Sequence, residues 1–213
     1  MQNEMAYQAA FTQSRNKLAR LTPEEIEHRS LCRYDARINL VEIKSLGEIF
    51  RVSYPTGIVE WDTPAKKVPL DWALVLLNYL SSAQDKPLAG QWVTYRELPS
   101  GQVFYGNLER YTLKELSEFY ARCDKHNLWV ALEKLGGAPS ESHADLSFQV
   151  DFAPRVPVLL QFWDGDEDML ASSQILFDQN VVEQLHIEDV AVVCGIVARR
   201  MMKQYADEIE QNK

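Results

Sequence analysis

The chain has few cysteines, and they lie too far apart to form a paired motif. Its three cysteines are Cys32, Cys123 and Cys194. Zinc ribbons and iron–sulfur clusters need cysteines at short, repeated spacings, and an odd, scattered set gives no disulfide framework. We therefore expect three reduced thiols.

Long apolar runs are also missing. The longest extend from Trp72 to Leu77 and from Val190 to Ala198, well short of the roughly 20 residues that a membrane-spanning helix needs. The first residues, Met1 to Glu4, have no basic segment and no apolar stretch after them, so we expect no secretory signal. The sequence predicts a cytoplasmic protein without a membrane partner.

Positive charge is the scarcer sign, with 22 Lys and Arg against 31 Asp and Glu and a net charge of −9. Binders of nucleic acid or of anionic membranes need an excess of cations, so both classes are disfavoured. Residues 156–198 hold no Lys or Arg but eight carboxylates, namely Asp164, Asp166, Glu167, Asp168, Asp178, Glu183, Glu188 and Asp189. This acidic segment predicts a cation, a partner protein with a basic surface, or a water-exposed face.

The common catalytic signatures are absent too. The sequence contains no G-x-G-x-x-G, Walker loop, G-x-S-x-G, H-E-x-x-H or paired C-x-x-C. The usual nucleotide-binding, hydrolase and zinc-protease interpretations therefore lose their main support.

The composition is that of an ordinary globular protein. Hydrophobic residues make up 46% of the 213 residues and charged residues 25%, which suits one domain with a sizeable core. We predict an amino-terminal helix over residues 1–21, a single α+β domain over 22–208 and a disordered tail over 209–213. The domain should hold a mixed or antiparallel sheet packed against several helices.

Local patterns place several helices. Thr22 and Glu25 form a capping box with Pro23 at the first helical position, and Thr112 with Glu115 predicts a second helix start. Residues 70–82 are apolar nearly all round, which is typical of a helix at the centre of a core.

Other patterns indicate strands. Apolar and polar residues alternate over 146–152, and residues 155–163 are almost continuously apolar; both patterns favour strands. The Tyr54-Pro55-Thr56-Gly57 turn between alternating segments predicts a β-hairpin.

Residues 92–105 combine aromatic rings with one arginine and form the candidate ligand site. Rings can stack on a planar ligand and a guanidinium can bind its carboxylate. With two residues from the later strand, the proposed set is Trp92, Tyr95, Arg96, Glu97, Tyr105, Arg155 and Trp163. The alternative is that the rings fill the core and that Arg96 pairs with Glu97 or another carboxylate.

The segment after Trp163 is the candidate metal site. Asp164, Asp166 and Asp168 could offer alternate oxygen ligands to Ca²⁺ or Mg²⁺, with His186 or Glu188 assisting. The glycine falls second in the loop and no glutamate closes it, unlike a calcium-binding loop. The alternatives are a water-exposed loop at a strand end, or contacts with the more basic amino-terminal half.

Three blocks, residues 87–105, 155–178 and 186–201, resemble an uncharacterised bacterial and archaeal family defined by a domain of unknown function. Some of its members, found largely in anaerobes, carry a four-cysteine module like that of corrinoid iron–sulfur proteins, and this chain lacks those cysteines. The resemblance implies an accessory or binding role near corrinoid, tetrapyrrole or iron–sulfur metabolism. It carries over no catalytic residue.

Three functions remain open from the sequence. The favoured one is a non-catalytic or accessory binding protein for a planar anionic ligand such as a tetrapyrrole. The second is a divalent-metal-dependent enzyme or metal-stabilised domain that uses the aspartates of 164–168. The third is an acidic protein-interaction module for a partner with a basic surface.

Overall fold

A computed structural model describes residues 2–63 and 67–211, with side chains from Tyr7 onward. The α-helices are α1 (Gln2–Leu18), α2 (Pro23–Ser30), α3 (Leu70–Ser82), α4 (Gly101–Leu108), α5 (Lys114–Tyr120), α6 (Lys125–Lys134) and α7 (Ile187–Gln211). The strands are β1 (Arg33–Asp35), β2 (Leu40–Ser45), β3 (Glu48–Ser53), β4 (Val59–Trp61), β5 (Trp92–Thr94), β6 (Ala138–Pro139), β7 (Leu146–Ala153), β8 (Val156–Trp163) and β9 (Ser172–Asp178). The prediction of a single α+β domain with antiparallel pairing is confirmed.

The strands form two sheets. The first is four-stranded in the order β1-β2-β3-β4, and the second is five-stranded in the order β5-β9-β8-β7-β6. The predicted hairpin around residues 54–57 is the β3–β4 pair. The two sheets meet where the amide of Leu46, in the β2–β3 turn, donates to the carbonyl of Asp151 on β7 at 2.9 Å.

One predicted helix start is confirmed and the other is wrong. The Thr22 hydroxyl accepts from the Glu25 amide at 3.2 Å, and the Glu25 carboxylate accepts from the Thr22 amide at 2.8 Å. Thr112, in contrast, lies within a π-helical turn (Glu109–Leu113) that joins α4 directly to α5. A capping box is a local signal, and here the helix has already begun at Gly101 and continues through it.

Helix α3 lies at the centre of the core, as its pattern predicted. It packs against α1, α2 and α7, and its buried residues include Val75, Leu76 and Leu77. Strand β8 is the middle strand of the five-stranded sheet and is buried on both faces from Val156 to Leu160. These two elements hold the surrounding layers in place.

The carboxyl terminus is more ordered than the sequence suggested. Helix α7 continues to Gln211, so residues 209–211 are helical and not part of a disordered tail. Glu208 lies at this end, where it accepts from Lys134 at 2.7 Å and from Gln204 at 2.8 Å. The remaining residues of the predicted tail, 212–213, lie outside the described residues.

A polar chain crosses the helical core between α1, α3 and α7. The Ser14 hydroxyl donates to the Asn78 side-chain oxygen, and the Asn78 amide donates to the Asp189 carboxylate at 2.9 Å. Burial raises the pKa of Asp189 above its ordinary value of 3.8, while Asn78, His186 and Lys17 act in the opposite direction. The charged form of Asp189 therefore lowers the stability of the folded state.

We expect the Asp189→Asn variant to gain stability relative to the wild type as the pH rises from about 4 to 7. A raised native-state pKa means that the folded protein holds this proton when the unfolded chain has released it, so the wild type loses stability with rising pH. Asparagine keeps an acceptor for Asn78 and does not titrate. Urea unfolding at several pH values measures the difference, and Glu167→Gln, at an exposed residue that is not among the groups shifting the pKa of Asp189, is the control. A difference that stays constant with pH would contradict the assignment.

Candidate functional site

A cleft of about 720 Å³ lies between the β2–β3 turn, the end of β4, the start of α3 and the second half of α7. We call it the tryptophan cleft. It is lined by Gly47, Glu48, Ile49, Trp61, Asp62, Thr63, Lys67, Pro69, Trp72, Arg200, Lys203, Gln204 and Asp207. A smaller cavity of about 230 Å³ shares Gly47 with it and is lined otherwise by Lys44, Leu135, Gly136, Asp151 and Pro154.

The apolar wall of the tryptophan cleft is an aromatic cluster. Trp61 faces Phe50 across the β3–β4 pair and stacks on it, with ring centroids 4.3 Å apart. Trp72, near the start of α3, meets Trp61 edge-on at 5.4 Å and donates from its indole nitrogen to the Ser45 hydroxyl at 2.9 Å. Strand pairing and one hydrogen bond thus fix both indole rings.

The opposite wall carries cations. Arg200 and Lys203 lie three residues apart on α7, which places them on one helix face. The Arg200 guanidinium donates to the Glu48 carboxylate at 2.6 Å. Within the described part of the chain, Lys203 and Lys67 have no ion-pair partner. Aromatic and cationic groups therefore face one hollow in a protein of net charge −9.

The sequence-predicted ligand residues lie elsewhere. Tyr95 is fully buried, and its hydroxyl donates to the carbonyl of Ile187 at 3.1 Å. Burial raises the pKa of Tyr95 to about 12, with Cys194 and Glu188 adding to the shift. Trp92 is half-buried on β5, opposite Asp178 of β9. Tyr95 therefore fills the core, as the alternative interpretation of these rings held.

Arg96 and Glu97 are exposed and do not act as a pair. The Arg96 guanidinium lies over the half-buried ring of Tyr105, 5.7 Å from its centroid. Glu97 accepts from the Thr94 amide and hydroxyl, both at 2.7 Å, and these bonds lower the pKa of Glu97. Arg96 and Tyr105 form a surface cation–π contact, while Glu97 caps the short 3-10 turn that follows β5.

Arg155 and Trp163 stand at opposite ends of β8, so they cannot share a small site. Arg155 is buried, and its guanidinium donates to Asp85 at 2.7 Å and to the carbonyls of Lys86 and His28 at 2.9 and 3.2 Å. Among the residues that the structure describes, its buried Nε atom has no acceptor. Arg155 thus links α2 to the loop after α3. No residue of the sequence-predicted ligand set lines either of the two cavities.

The three aspartates of the predicted metal site do not converge. Asp164 pairs with Lys125 at 3.1 Å, and Asp166 accepts from the amides of Asp168 and Met169 at 2.9 and 2.7 Å. These two bonds lower the pKa of Asp166. In residues 2–63 and 67–211, no group of three or more His, Cys, Asp or Glu side chains is placed to hold a metal ion. His186 and Glu188 lie at the start of α7, where the amide of Glu188 donates to His186 Nδ1 at 3.4 Å.

The acidic segment is partly neutralised from within. Asp178 is buried and accepts from the amides of Ala89 and Gly90 at 2.9 and 2.8 Å. Glu183 pairs with Lys86 at 2.8 Å. These two carboxylates of the acidic segment therefore have partners inside the chain and need no external cation or protein.

Sequence reasoning missed the residues of the tryptophan cleft. The predicted central helix over 70–82 includes Trp72, but no sequence pattern assigns a binding role to Trp61, Trp72 or Arg200. The available signal was a helix with Arg199, Arg200 and Lys203 just after 43 residues without a cation. Nothing local showed that this helix face lies opposite residues 61–72.

Residues 22–200 match the family model described as "Domain of unknown function (DUF3786)". No curated protein and no solved structure matches the chain. This comparison does not confirm the four-cysteine module that the resemblance implied for some relatives, and the three cysteines of this chain are all free. None of the helices over residues 2–63 and 67–211 has the length and apolar character to cross a bilayer.

Proposed function

The chain belongs to the DUF3786 family, and on that premise we propose that it is a non-catalytic or accessory binding protein whose tryptophan cleft holds a planar anionic ligand. The observation that supports this proposal is the meeting of two fixed indole rings with three cationic side chains around one cleft. The ligand chemistry is the one expected from the sequence, and the location is new.

The size and lining of the cleft support a small-molecule ligand. Its volume of about 720 Å³ falls within the roughly 300–1,000 Å³ of known ligand pockets, which are mostly apolar with a few placed polar groups. The half-buried Trp61 offers ring surface to a flat ligand, whereas Trp72 is only 4% exposed and mainly supports Trp61. Lysine and arginine attract acids. A tetrapyrrole with carboxylate side chains, the class expected from the sequence, offers both features.

The charges of the cleft favour binding over proton transfer. Of its three carboxylates, Glu48 is paired with Arg200 and Asp62 with Arg51, while Asp207 has no ion-pair partner within the described residues. A general base needs to be within hydrogen-bond reach of the substrate's proton and free to accept it. Two of the three carboxylates are held by arginines, and these two suit a fixed recognition surface better than proton transfer.

We expect haem or cobalamin to change its absorption spectrum on mixing with the protein and to raise the melting temperature. A ligand at 100 times its dissociation constant stabilises the folded state by about 2.7 kcal/mol, which is about 5–10 °C for a domain of this size. The Lys203→Glu variant should weaken this response, because it places a negative charge in the cleft.

The matched control is Arg110→Glu, which makes the same charge change at an exposed residue outside the cleft. This control should bind like the wild type. Absence of a spectral change and of a melting shift with both compounds would remove the tetrapyrrole proposal. Equal weakening by the two variants would show a general charge effect and not a site at the tryptophan cleft.

A further inference from the structure

We infer that Arg200 is the specificity-determining residue of the tryptophan cleft and that it selects an aromatic ring bearing one carboxylate. This inference rests on the proposed function, since it assigns the part of the ligand that the cationic wall recognises. The single juxtaposition behind it is a largely buried guanidinium, fixed by Glu48, that lines the same hollow as Trp61 and Trp72.

The burial of Arg200 distinguishes it from the arginine beside it. Its side chain is 15% exposed, whereas that of Arg199 is 59% exposed and pairs with Asp71 at the surface. Two consecutive arginines of α7 thus have different surroundings. Arg199 meets solvent, and Arg200 is held against the cleft wall.

Arg200 keeps donors for a ligand. A guanidinium has five N–H donors, and within the described residues Glu48 is its one hydrogen-bond partner, through Nη2. The other guanidinium nitrogens of Arg200 donate to no protein group among the described residues and are not fully buried. A ligand can therefore reach them. Because Glu48 already fixes the side chain, little rotamer freedom is lost when a carboxylate binds.

A planar fork favours a carboxylate. Guanidinium and carboxylate match in shape and form paired, charge-assisted hydrogen bonds, which an ammonium cannot do. An acid bound here would extend from a ring placed against the tryptophan wall. The cleft would thereby recognise a flat ring and its carboxylate together.

The charge count around the cleft points to one acid group. Three cations, Lys67, Arg200 and Lys203, and three carboxylates, Glu48, Asp62 and Asp207, line the cleft, and Arg51, outside the lining, neutralises Asp62. The described groups therefore leave one positive charge, which one carboxylate neutralises. A second acid group on the ligand would have to face solvent.

The test uses two probes that differ only in charge. The probes are 2-naphthoate and naphthalene-2-carboxamide, which have the same ring and nearly the same shape, and calorimetric titration measures both affinities. We expect the wild type to bind the carboxylate on the order of 10- to 100-fold more tightly than the carboxamide, as for hydrogen bonds to a charged group. Arg200→Gln should abolish this preference, mainly by weakening carboxylate binding, and Arg199→Gln, which lies outside the cleft lining, should keep the preference.

The outcomes separate the inference from the proposed function. An unchanged preference in Arg200→Gln would overturn the inference, and so would binding of haem or cobalamin without binding of either probe. If none of the four compounds binds, the proposed function fails as well. Should Arg200→Gln not fold, Arg200→Lys carries the test: it keeps the charge but not the paired donors, so the preference should fall below that of the wild type without disappearing.

Discussion

Replacing Gly47 with alanine is expected to destabilise the protein by about 3 kcal/mol or more, since strain and a backbone clash add together. Gly47 has φ +77°, in the left-handed region, where a residue with a Cβ costs roughly 1–2 kcal/mol. A Cβ at this position would also lie 2.6 Å from the Lys134 carbonyl oxygen and 3.0 Å from the Leu135 carbonyl carbon. Both neighbours are backbone at the end of α6, so they cannot move aside as a side chain would.

Gly90 provides the matched control for this prediction. Its φ of +70° is nearly the same, but a Cβ there would meet nothing within 4 Å. The Gly90→Ala variant should therefore show the conformational cost alone, and the difference between the two variants in urea unfolding measures the close approach. Equal losses would mean that the β2–β3 turn does not depend on contact with α6.

Replacing Arg155 with methionine is the second change with a large expected effect, a loss of about 3 kcal/mol. Methionine retains much of the apolar stem but removes the hydrogen bonds to the carbonyls of Lys86 and His28, and a hydrogen bond that involves a charged group contributes about 1.5–3 kcal/mol. The Lys86 carbonyl keeps one donor, the side-chain amide of Gln184 at 3.2 Å. The same change separates Arg155 from its partner Asp85. The β7–β8 turn, α2 and the loop after α3 lose their common contact, and unfolding in urea measures the result.

The Asp85→Asn variant shows which contact of Arg155 matters. The Asp85 side chain is 51% exposed, and exposed ion pairs contribute at most about 1 kcal/mol. We therefore expect a loss of less than about 1 kcal/mol, well below that of Arg155→Met. A larger loss for Asp85→Asn would show that the ion pair, and not the two carbonyl contacts, accounts for the role of Arg155.

Local signals in the sequence predicted elements but not always their limits. Thr22 and Glu25 cap α2 as expected because both partners lie within one turn of chain. Thr112 and Glu115 carry the same signature without a helix start, since α4 reaches them from Gly101 through a π-helical turn. A capping-box sequence shows which side-chain to backbone hydrogen bonds could form, and the conformation of the preceding residues decides whether they do form.

For the candidate site, too, the sequence identified suitable residue types but not which residues come together. The sequence favoured residues 92–105 because rings and an arginine are close along the chain, yet Tyr95 packs into the core and Arg96 lies on the surface. The aromatic wall of the tryptophan cleft comes from residues 61 and 72, and its cationic wall comes from residues 200 and 203. More than a hundred residues separate these walls, so sequence proximity could not reveal them.

By itself, the sequence determined the α+β class, the central helix over 70–82 and the absence of paired cysteine motifs, because each follows from composition or from a period of two or 3.6 residues. It also determined which residue types were available for a planar anionic ligand. Only the tertiary structure decided that Trp61, Trp72 and Arg200 meet around one cleft while Arg155 is enclosed. The physical reason is that such a site depends on how α7 packs across the β2–β3 turn. Packing between elements that are distant in the sequence does not change the residue periodicity of either element, so the sequence pattern cannot reveal it.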